Sequence, residues 1–170
     1  EVEELNISGL LGKLPKWAKQ FLTVFVLVLS FGYVTGLVYI SKSTGVSSGG
    51  IEEQYLGNEN DLDAVEMKFK KPEKAILTLV HGHVVSFSLI FFALGGIFMF
   101  SSYSSFLKKV LTIEPLLSTV TTFGGIWLMW LGYGWMKYVV MISGTLMHVS
   151  FAVLVVLVLR DLSRKNEVLR

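Results

Sequence analysis

The chain has 170 residues, 52% of them apolar and 16% charged, and its formal net charge is only +2. Charged residues make up about a quarter of a soluble domain, whereas here the apolar residues gather in runs long enough to cross a ~30 Å hydrocarbon core. Composition therefore excludes a soluble enzyme, a disordered chain, a nucleic-acid reader and a membrane β-barrel, whose strands alternate in polarity; with no cysteine, it also excludes disulfides, thiolate-bound zinc, iron–sulfur clusters and covalent c-type haem.

Residues 1–20 set Leu5, Ile7, Leu10, Leu11 and Leu14 among charges, with Pro15 interrupting them. Such a segment is expected to lie along the membrane surface. The first apolar run, 21–40, reads as a permanent anchor rather than a cleaved signal, because of its length and the residues retained before it. Residues 41–74 form a polar loop. Its first part, to Gly50, is rich in Ser and Gly and expected to be flexible. Its second part carries Tyr55, Leu56, Leu62, Val65, Met67 and Phe69 among acids and lysines. That is too little for a core of its own, and it predicts a helical turn or two resting on the membrane or on a partner. Pro72 suits the N-terminus of the next helix.

The second and longest run is 75–100. The third starts at 116 and extends to between 131 and 136, the fourth is 138–159, and a basic tail follows at 160–170. Gly132-Tyr133-Gly134 is expected to belong to a tight turn, since glycine takes the positive φ such turns demand. Each run is predicted helical because in hydrocarbon every backbone polar group must be bonded within its own segment. The fold class is thus an all-α integral membrane protein, a four-transmembrane-helix bundle with both termini on the inner side.

That orientation comes from Lys13, Lys16, Lys19, Lys108, Lys109, Arg160, Arg164, Lys165 and Arg170 on one side. The smaller set of Lys42, Lys68, Lys70, Lys71, Lys74 and Lys137 falls on the other, among many acids. Positive charge is retained inside, which predicts a multi-pass protein of a bacterial inner membrane. Trp17, Trp135 and Tyr138 lie near the expected interfaces, where amphipathic rings settle.

No Asp, Glu, Lys or Arg falls within the cores of these four runs, but all three histidines do: His81, His83 and His148. An ionisable group at that depth is a functional candidate. At ~1.5 Å per residue His83 lies ~10 Å into its span and His148 ~15 Å into the parallel one, within about a turn of the same level. His81 and His83, two apart, diverge by about 200°, so only one of them faces the bundle. Gly144 precedes His148 by a turn and Ser86 follows His83 by nearly one, leaving space beside the rings. Two level imidazoles with room between them suit a non-covalent b-type haem, whose iron accepts neutral imidazole. His83 and His148 are then the iron ligands, His81 the substitute ligand, and Gly144 and Ser86 part of the cofactor's walls. The competing reading makes the histidines interhelical hydrogen-bonding groups. For a divalent metal the signal is weaker, because His81 and His83 diverge and lack a nearby carboxylate.

The aromatic residues of the spans read first as lipid contacts and second as the wall of a quinone pocket. Ser118, Thr119, Thr121 and Thr122 form a hydroxyl cluster expected to bond the backbone of its own helix. In its four helices with histidines on two of them, the pattern resembles membrane cytochrome b anchors, a likeness of architecture that carries no residue over. The expectation is a non-catalytic electron-transfer subunit of a larger membrane complex, with haem b and a quinone or lipid as ligands. Its partners are membrane lipids, other subunits of the complex and a redox partner at the outer face. The alternative is a cofactor-free structural or accessory subunit.

Overall fold

The computed structural model describes residues 7–44 and 47–164, which form six α-helices. They are α1 (Leu10–Lys13), α2 (Lys16–Ser43), α3 (Ser48–Leu56), α4 (Glu73–Met99), α5 (Ser105–Trp130) and α6 (Met136–Leu162). Three of them, α2, α4 and α6, are long and apolar enough to cross a membrane. This is an all-α, multi-pass integral membrane protein.

Helix α5 packs along both α4 and α6, and α4 also meets α6, so these three build the core. Phe91, Leu94, Phe98, Phe123, Ile126, Met147, Phe151, Leu154 and Val158 fill it. Helix α2 leans chiefly on α6, burying Val26 and Tyr33 while most of its apolar side chains stay exposed. On a membrane helix that exposed face belongs to lipid or to another helix.

The third run differs from its sequence expectation. The helix begins at Ser105 rather than 116 and ends at Trp130. Ser104 caps it by accepting from the Leu107 N–H, and Pro115 lies inside it. Proline removes one i→i−4 bond, a loss that membrane helices tolerate when neighbours compensate. The stretch left between the second and third apolar runs therefore shrinks to a short corner, and Lys108, Lys109 and Glu114 are helical. Likewise α6 is longer than 138–159 and takes in Asp161. Asp161 is fully buried and accepts from Ser102 N at 3.2 Å and Ser102 Oγ at 2.6 Å, while Arg164 pairs with it at 3.1 Å.

The same corner holds the N-terminal segment. Gly9 N donates to Ser101 O and Leu11 N to Phe100 O, both at 2.9 Å, and Leu11 is buried. This segment docks on protein rather than only skimming a surface; residues 1–6 lie outside the described residues, as does 165–170 of the basic tail. At the other end Gly132, with φ 113°, turns the chain from α5 into α6 as expected. There α3 sits over the bundle, tied by the Lys137–Glu52 ion pair at 2.6 Å. Burial holds the Tyr55 phenol of α3 above its ordinary value, with Tyr39 adding to the shift.

Candidate functional site: a carboxyl between α5 and α6

The histidines do not meet. His83 is exposed on α4, and its Nδ1–H donates to the Leu79 carbonyl of its own helix at 2.8 Å. Its ring leans on Phe123 at 4.8 Å and Phe87 at 6.0 Å. His148 is half-buried on α6, with Nδ1 2.6 Å from the Tyr33 hydroxyl. Tyr33 in turn stacks on Phe151 at 3.6 Å and contacts Phe87 at 5.8 Å. The two imidazoles are thus joined through Phe87 and Tyr33, whose rings fill the space a disc would need. His81 is exposed, and so is Ser86. Gly144 faces Thr122 of α5, not a cavity: a Cβ there would lie 3.6 Å from its methyl. These residues do not fit a haem clamped between α4 and α6. Among the described residues no group of three His, Asp or Glu is placed to hold a metal ion.

Polar side chains do converge elsewhere. Glu114 accepts hydrogen bonds from Ser118 Oγ, one turn along α5, and from Ser150 Oγ of α6. Ser150 lies twelve residues before Leu162 and fourteen after Met136, about 18 and 21 Å from the two ends at 1.5 Å per residue. The carboxyl therefore sits at the mid-depth of α6, although Glu114 itself belongs to α5. Above it Thr119 Oγ donates to Pro115 O at 2.8 Å and touches Met147 Sδ at 3.4 Å. Thr122 and Ser143 pair at 2.8 Å across the helices. Of the hydroxyl cluster, Thr119 and Thr121 bond the backbone of their own helix as expected, Ser118 donates to the Glu114 side chain of the same helix, and Thr122 pairs with Ser143 across the seam.

Glu114, Ser118 and Ser143 lie on the wall of an open groove of about 700 Å³ between α5 and α6. Apart from Thr121 its other walls are apolar (Val110, Ile113, Leu117, Ile142, Leu146), and Phe106 and Lys109 stand at one end. A carboxyl group has more acceptor sites than two, and the two serines use one on each of its oxygens. The remainder can receive a donor entering from the groove. The signal was present in the sequence: Glu114 and Ser118 are one turn apart, and the Ser104 cap precedes both. The apolar run begins only at 116, just after Pro115, which leaves Glu114 outside the expected helix while Ser118 falls within it.

A family described as a transmembrane helical domain, Aq_1264_TM, matches residues 45–169. The chain belongs to this family. The match takes in α3 to α6, hence the groove, His83 and His148, and leaves α2 outside it. No curated protein and no solved structure matches the chain.

Proposed function

We propose that this protein is a membrane-embedded binding subunit whose α5–α6 groove seats a hydroquinone carrying a long apolar tail. On this reading α5 is a fourth span, and both ends of the chain lie on the inner side of a bacterial inner membrane. The observation that carries it is the Glu114 carboxyl at mid-depth on the wall of an apolar groove. Intramembrane acids are costly and rare outside functional sites. A groove of about 700 Å³ falls in the range of small-ligand sites, where a few polar groups fix an otherwise apolar guest. Ordinary lipids keep their headgroups at the interface, whereas a hydroquinone is dissolved in the hydrocarbon and brings hydroxyl donors to the level of Glu114.

The test is binding of decylubiquinol to the purified full chain in nanodiscs. Saturable binding is expected, weakened at least about tenfold by Glu114→Gln, an amount equivalent to ~1.4 kcal/mol. No saturable binding to the wild type, or equal binding to both forms, overturns the reading, and co-purified lipid that resists displacement points to a lipid groove.

The haem reading keeps one support: the Nδ1–H bond of His83 to Leu79 leaves its Nε2 free, as second-shell bonds do for metal-bound imidazoles. A dithionite-reduced minus oxidised spectrum decides it. A haem band lost in His83→Ala would establish iron ligation there, and a flat spectrum would end it.

A further inference from the structure

We propose that the loop between α3 and α4 is a preorganised docking tip for a protein partner that presents an apolar recess rimmed by lysines and arginines. Leu62 and Val65 are as exposed as in a free chain, at 98% and 107%, and Met67 and Phe69 are exposed beside them. Apolar side chains thrust outward usually mean a floppy segment, but this one is clasped at its base. Asn58 N donates to Lys68 O at 2.9 Å, Lys68 N to the Asn58 side-chain oxygen at 2.6 Å, and Asn58 Nδ2 to Glu66 O at 2.9 Å. Gly57, with φ 81°, makes the crossing, and a Cβ there would strike Lys68 O and Lys70 N at 2.7 Å. Trp130 of α5 then pins the loop's end by donating to Lys71 O at 2.7 Å.

The clasp also sorts the charges. Lys68 reaches back to Ser43 O at 3.3 Å, and Lys70 sits 4.8 Å over the Trp130 ring. Glu59, Asp61, Asp63 and Glu66 are left around the tip, all exposed. An apolar centre inside a charged rim is the anatomy of a protein interface, and the acidic rim selects a basic counterpart. A lipid surface is the poorer match, because anionic leaflets attract lysine and arginine rather than acids.

The test places a photoreactive residue at Leu62 of the full chain in its native membranes and identifies adducts by mass spectrometry. The expected product is a protein adduct at a segment rich in Lys or Arg and apolar residues. Its yield should fall severalfold between ~50 and ~500 mM salt as screening sets in. Combining Asp61→Asn, Asp63→Asn and Glu66→Gln should lower the yield about fivefold or more at low salt, with the melting temperature unchanged as proof of folding. Lipid adducts alone, no adduct, or a yield indifferent to both salt and charge overturns the proposal. Glu114→Gln should leave the adduct untouched, which separates this surface from the groove.

Discussion

Tyr33 and His148 are 115 positions apart and meet at 2.6 Å, the closest polar tie between α2 and the core. Hydrogen bonds between membrane helices are worth about 0.6–1.7 kcal/mol. Tyr33→Phe keeps the stack on Phe151 and removes only the hydroxyl, so it should lower stability by that amount in a denaturant titration in bicelles. Because the two groups touch, combining it with His148→Leu should cost less than the sum of the single changes. Strictly additive costs would mean the bond contributes nothing. The sequence marked His148 as a polar group at depth but passed over Tyr33, whose hydroxyl needs a partner there just as much. Nor could spacing along one helix reveal Tyr33 as that partner, since the pairing depends on how α2 rotates against α6. Glu114 is harder to read for a different reason: it precedes the apolar run that begins at 116, and only a helix carried back to the Ser104 cap includes it.

The apolar runs fixed where the long helices lie, because twenty apolar residues have few alternatives in hydrocarbon. They did not fix the ends, since charged residues continue a helix once neighbours or the interface receive them. Gly144 of α6 is expected to leave room for a cofactor, yet the structure spends it on contact with Thr122, and Gly125 of α5 is spent in the same way. A Cβ on Gly125 would lie 2.8 Å from Val140 Cγ2, and Val140 is buried. Gly125→Val should therefore force α5 and α6 apart and cost about 1–3 kcal/mol, the usual toll of overpacking. The same separation should break the Thr122–Ser143 bond one turn away and loosen the groove. A lowered melting temperature together with weaker hydroquinone binding is the expected pair of results; an unchanged melt would mean that the Val140 side chain yields freely.

At the scale of the whole molecule, the described ends of the chain converge on one corner of the bundle. Gly9 is bonded to Ser101 there, and so is Asp161 to Ser102. Both ends can share one side of a membrane, as we propose, only if the crossings between them are even in number, and on that reading α5 crosses along with the three apolar helices α2, α4 and α6. Its charges Lys108 and Lys109 lie in its first turns, where they can reach the interface as snorkelling lysines do. With no cysteine in the sequence, single cysteines report topology without background. On the proposed topology, cysteines replacing Lys13 and Arg164 should react with a membrane-impermeant maleimide only after the membrane is permeabilised. One replacing Asp63 should react at once, because it lies beyond the α3 end of the bundle. If Lys13 and Arg164 label from opposite sides, α5 does not span, Glu114 no longer sits in hydrocarbon, and the physical cost that makes its position informative disappears.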